Sequence, residues 1–187
     1  MKHLPVLLLL LLLTTAACKK EDKCTTAPPW IEVNLPDSVQ LGETVVFLNG
    51  ETVDYKPIFT YVAVYDLIGY GFHQNLTTIL NGFGFDRLLL NAGNYSLYTL
   101  NQQTIEGKAK AGFWQIVDED LIGYTYQLEE SVNGFIHVEY LDTAQQIVKG
   151  RFKVAFCRTS KNDWEEDLGL PEHLQFQGVF HEKYKVE

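Results

Sequence analysis

The chain holds one methionine, at its first position, and three cysteines; its 15 Lys and Arg are outnumbered by 24 Asp and Glu. The formal net charge of −9 lacks the clustered cations that phosphate recognition requires, so nucleic acid is not an expected partner. No apolar run is long enough to cross a bilayer as a helix: the longest, 6–13, falls well short of the about 20 residues needed. No segment repeats apolar residues at i, i+3, i+4 and i+7, which argues against amphipathic helices. Catalytic signatures are absent as well. None of Ser38, Ser96, Ser131 or Ser160 sits in Gly-x-Ser-x-Gly, and there is no His-Glu-x-x-His and no phosphate-cradling glycine loop ahead of a helix. No catalytic residue, metal set or cofactor is therefore implied, and the expectation is a protein that is not an enzyme.

Strand formers fill the body of the chain. Ten tyrosines and eleven phenylalanines suit half-buried pleated strands. Strands are expected at 30–35, 44–48, 58–65, 87–90, 95–100, 113–117, 124–128, 135–141 and 147–156, with a last one in the terminal segment. The run IFTYVAVY, 58–65, is apolar on both parities, as a central strand covered on each side would be. Asn-Gly at 49–50, 81–82 and 133–134 favours tight hairpins. The stretches 101–112 and 158–172 are expected to be loops. The second contains the acidic group Asp163, Trp164, Glu165, Glu166, a candidate binding loop because long ordered loops are often functional. The expected architecture is an all-β, antiparallel β-sandwich of about ten strands. Asp-Leu-Ile-Gly-Tyr occurs at 66–70 and again at 120–124, each followed by Asn-Gly-Phe, which suggests two hairpins with similar local demands.

The first residues read as an address. Lys2 gives a positive start, 6–13 an apolar core, and 14–17 the small residues that precede a cleavage point, so 1–17 is expected to be a signal peptide. Thr15-Ala16-Ala17-Cys18 resembles the lipobox of bacterial lipoproteins, which implies lipidation of Cys18, for instance with palmitate, after cleavage. The charged and proline-containing stretch 18–29 is then a flexible tether, and 30–187 a single domain. With Cys18 set aside, Cys24 and Cys157 remain in an oxidising compartment. They either pair or stand as independent thiols.

The histidines offer little. His3 leaves with the leader. His173 and His181 share the parity of Gln175, Gln177, Lys183 and Lys185 in the terminal segment, a solvent face by its simplest description; an extended chain sets them roughly 26 Å apart, too far to share a metal. His137 alternates against Ile136, Val138 and Tyr140 and is also expected to face outward, while His73 stands in a loop-like context.

Three groups of residues carry a family resemblance. Val132 to Asp142 leads into Ile147-Val148-Lys149-Gly150-Arg151-Phe152-Lys153-Val154, and later comes Leu174-Gln175-Phe176-Gln177-Gly178-Val179-Phe180; upstream stands Gly93-Asn94-Tyr95-Ser96-Leu97. This succession of Gly-x-Phe strands resembles a group of Bacteroidetes outer-membrane lipoproteins with an all-β domain. Lys20-Glu21-Asp22 likewise resembles the short signal that sends such proteins to the cell surface, and Asp37-Ser38-Val39 and Asp142-Thr143-Ala144 resemble their O-glycosylation sites. The resemblance implies a lipid-anchored location and an all-β fold, and no activity. The expected function is a non-catalytic binding or accessory module for an envelope protein or glycan, held to the outer membrane by lipid. A carrier of a small apolar ligand between the sheets is the alternative, followed by an envelope hydrolase.

Overall fold

The computed structural model describes residues 24, 27–65, 67–76, 79–99, 107–117, 121–160 and 169–187. They form β1 (Glu43–Leu48), β2 (Glu51–Val53), β3 (Lys56–Val62), a 3-10 turn (Ala63–Tyr65), β4 (Leu67–Leu76) and β5 (Ile79–Leu89). There follow β6 (Gly93–Thr99), β7 (Lys108–Val117), β8 (Leu121–Ile122), β9 (Thr125–Leu128), β10 (Phe135–Asp142), β11 (Ile147–Ser160), β12 (His173–Lys183) and β13 (Lys185–Val186).

The all-β expectation holds; the sandwich does not. The strands make one strongly curled sheet in the order β13-β3-β4-β5-β7-β6-β10-β11-β12-β1-β2, a half-barrel, with β8 on β7 and β9 on β11 off the main path. Nor is it purely antiparallel, because β6 runs parallel to β7 and β13 parallel to β3. The curl follows from one bend. β12 pairs with β11 on one side and β1 on the other, and just past Tyr184 the chain crosses to pair Lys185 with Thr60 of β3. Chain continuity thus draws the two ends of the sheet together, which alternating residues alone do not reveal.

Aromatic rings fill the concave side. Tyr70 and Phe72 of β4, Phe83 and Phe85 of β5, Phe152 of β11, and Phe176 and Phe180 of β12 are almost wholly buried. Phe83 stacks on Phe176 at 4.2 Å between centroids, and Phe72 on Phe83 at 4.9 Å. Each such pair contributes about 0.5–1.5 kcal/mol beyond the area it buries.

Two of these rings explain the Gly-x-Phe strands. In the β11–β12 register Gly150 faces Phe180 and Phe152 faces Gly178. A Cβ on Gly150 would lie 2.7 Å from Cζ of Phe180, and one on Gly178 2.7 Å from Cζ of Phe152. Each ring therefore lies on the other strand's bare backbone. Close-packed interiors leave no room for an added methyl at such a point.

Several local expectations change. Asn49-Gly50 is a hairpin turn with φ of 50° and 88°, as expected, but Asn81-Gly82 lies within β5, and Asn133-Gly134 precedes β10 without forming a hairpin. The segment 30–35 is not a strand. Strand β3 lies at the rim, not the centre, of the sheet, so Ile58 is half exposed. The loop expected at 101–112 ends sooner, since Lys108 begins β7, and β11 extends beyond Phe156 to Ser160. The two Asp-Leu-Ile-Gly-Tyr copies are not equivalent: Ile68 is buried in the core, whereas Ile122 is exposed.

The terminal segment holds another correction. Gln175 and Gln177 are buried, not on a solvent face, because residues 28–31 lie across them. Gln175 Nε2 donates to the carbonyls of Pro28 and Pro29 at 3.4 and 3.1 Å, the Ile31 amide donates to Gln175 Oε1 at 2.9 Å, and Gln177 Nε2 donates to the Ile31 carbonyl at 2.7 Å. Lys153 of β11 caps this strap from below, 4.2 Å from the Trp30 ring centroid and 3.1 Å from Glu32. So part of the stretch read as tether is docked on the sheet. Upstream, Cys24 is joined to Cys157, with Cα atoms 5.8 Å apart.

Candidate binding surface

The outer face of β3, β4, β5 and β7 departs from an ordinary solvated sheet. Pairing puts Ile58, Gly71, Gly84 and Gly112 in one cross-strand row. On one side lies the row Lys56, His73, Gly82, Trp114, and on the other Thr60, Gly69, then Asp86 opposite Lys110. Because side chains alternate across a strand, the same residues that send Tyr70, Phe72, Phe83 and Phe85 inward leave glycines outward at 69, 71, 82 and 84. The result is bare backbone three strands wide, where peptide groups already paired in the sheet ladder form the floor.

Trp114 lies down on this floor. A Cβ on Gly82 would fall 2.1–2.3 Å from its Cε2, Cζ2 and Nε1, and one on Gly84 would lie 3.3 Å from its Cη2. The indole therefore reaches from β7 across β5 toward β4, with one side covered by glycine and the residue still 38% exposed. Past its rim a groove of about 350 Å³ opens, walled by Ile58 and Trp114, with Thr60, Asp86 and Lys110 at its polar end. A further outward row, Leu80, Ile116 and Ile122, continues the apolar surface beyond Trp114. The four rows span roughly 300–400 Å² of sheet, with Lys56, His73, Thr60, Asp86 and Lys110 among their residues and the apolar side chains supplied by Ile58, Trp114, Leu80, Ile116 and Ile122.

A second recess, of about 320 Å³, lies beside the disulfide and is lined by Cys24, Thr99, Leu128, Glu129 and Ser131 among others. Its buried carboxylate, Glu129, is 3.2 Å from Nδ1 of His173. This pair sits at the β9–β11–β12 end of the sheet. Among the described residues no group of three His, Cys, Asp or Glu is placed to hold a metal ion.

Of the sequence-derived candidates, Cys24 and Cys157 are brought together, while Cys18 and the loop residues Asp163, Trp164, Glu165 and Glu166 lie outside the described residues. His73 stands in β4, not a loop, one strand from Gly82. Trp114 and the glycine floor were missed, although a signal was there: Gly69-Tyr70-Gly71-Phe72 and Gly82-Phe83-Gly84-Phe85 alternate glycine with aromatic at the strand period. The two stretches begin more than ten positions apart, and only the pairing register of β4 and β5 aligns them. Comparison with protein-family models, with curated proteins and with solved structures finds no match.

Proposed function

We propose that this chain is a lipid-anchored protein of the bacterial outer membrane, of the Bacteroidetes type, that acts without catalysis as a binding module through the outer face of its sheet. The observation that carries the proposal is the exposed apolar surface centred on Trp114, laid over a glycine floor where a solvated sheet would carry polar side chains. The Cys24–Cys157 bond supports an oxidising compartment, in keeping with export. A carrier has less to draw on, because stacked rings occupy the concave side where an apolar ligand would sit. Growth with an alkyne-tagged palmitate is expected to label the wild-type protein and not Cys18→Ala, and affinity capture of the labelled protein from native envelopes to recover one reproducible partner. An unlabelled wild-type protein, or capture unchanged when Trp114 is replaced, would sink the proposal.

A further inference from the structure

Resting on that binding role, the structure assigns a ligand class to the groove: we infer that Trp114 and the glycine floor form a stacking platform for an uncharged glycan chain. Four features select this occupant. Gly71, Gly82 and Gly84 each have a strand paired on both sides, so a peptide strand cannot join the ladder within the floor itself; the stretch 56–59 of β3 that β13 leaves uncovered lies beyond its Ile58 wall. The groove is flat and open, with one indole face presented outward, which suits a planar apolar contact better than an acyl chain needing enclosure. Its polar groups are few and gathered at one end, Thr60, Asp86 and Lys110, with both donor and acceptor capacity for hydroxyl groups. The net charge of −9 opposes a polyanion.

Gly69 provides a test that separates binding from folding. A Cβ there would meet its nearest neighbours, Asp86 Oδ1 and the carbonyls of Phe85 and Thr60, only at 3.8–3.9 Å, an ordinary contact distance, and Gly69 lines the groove that a side chain would enter. Gly69→Leu replaces a poor strand former and is expected to leave the melting temperature at or above that of the wild type. The assay is affinity electrophoresis of the disulfide-bonded protein through gels containing dextran, galactomannan, xylan or, as an anionic comparison, polygalacturonate. The expected result is retardation by at least one neutral polysaccharide, at least about tenfold weaker in Trp114→Ala and in Gly69→Leu, the equivalent of about 1.4 kcal/mol. Absence of retardation by every neutral polymer overturns the inference. So does retardation that survives Gly69→Leu, or retardation by polygalacturonate alone. Capture of an envelope protein by the wild type, lost in Gly69→Leu, keeps the outer-face binding role and overturns the glycan assignment.

Discussion

Replacing Cys24 with alanine should cost more stability than any other single change at the N-terminal edge of the domain. The bond closes a loop of 133 residues, and the chain-entropy relation then gives about 17 cal/mol/K, or about 5 kcal/mol at 25 °C, of restriction on the unfolded chain. The folded state forfeits little in return. Residues 28–31, just after Cys24, are held on β12 by Gln175 and Gln177 whether or not the sulfurs are joined. Cys24 is the better site to change because Cys157 is fully buried, and altering it would disturb the core as well. For a domain of this size each kcal/mol moves the melting temperature by about 2–4 °C, so a drop of about 10–20 °C is expected. Circular-dichroism melts of wild type and Cys24→Ala, each with and without reductant, provide the measurement. Reductant should lower the wild-type transition to near that of the variant and leave the variant unmoved. A difference below about 4 °C would refute the entropic reasoning.

Two further outcomes follow from the same face and its neighbour. Gln175→Ala strands the Ile31 amide and two proline carbonyls, so a loss of about 1–3 kcal/mol is expected in denaturant unfolding, with faster proteolysis before residue 32. Glu139 is partly buried, which raises its pKa, but the hydrogen bond and charge of Arg151, joined by Lys149, outweigh this and hold its carboxyl below the ordinary value of 4.5. A depressed folded-state pKa gives stability that is complete above about 4.5 and fades as pH falls through the folded value. Urea midpoints taken from about pH 7 to about pH 3 should therefore fall more steeply for wild type than for Glu139→Gln, and parallel curves would count against the ion pair.

Much of the strand content could be read from alternation, and the Asn49-Gly50 turn from its dipeptide. What escaped was set by pairing partners far apart in sequence. Gln175 and Gln177 share the parity of Lys183 and Lys185, and only the strap from 28–31 decides that the first two are covered. The Gly-x-Phe strands were visible as a pattern, yet their reason needs the register that lays Phe152 on Gly178 and Phe180 on Gly150. The same holds for the groove: Trp114 and Gly82 lie 32 positions apart by their numbers, and neither residue alone signals a floor and its cover. The bridge between Cys24 and Cys157 was one of two open alternatives, because spacing in sequence does not give separation in space.

The bend at Tyr184 also bears on how fast the domain can assemble. Besides the short β2 next to it, β1 pairs with the distant β12, with Thr44 donating to Glu182 across 138 positions, and β3 meets β13 through the same distant segment. Contacts of this span demand closure of long loops before they return any favourable energy, a topology that folds in milliseconds to seconds and not microseconds. Until residues beyond His173 arrive, β1, β3 and β11 each present an unpaired edge and uncovered phenylalanines. A nascent chain of this design must be kept from self-association until β12 and β13 have been made, and an escort that shields strand edges would determine its yield.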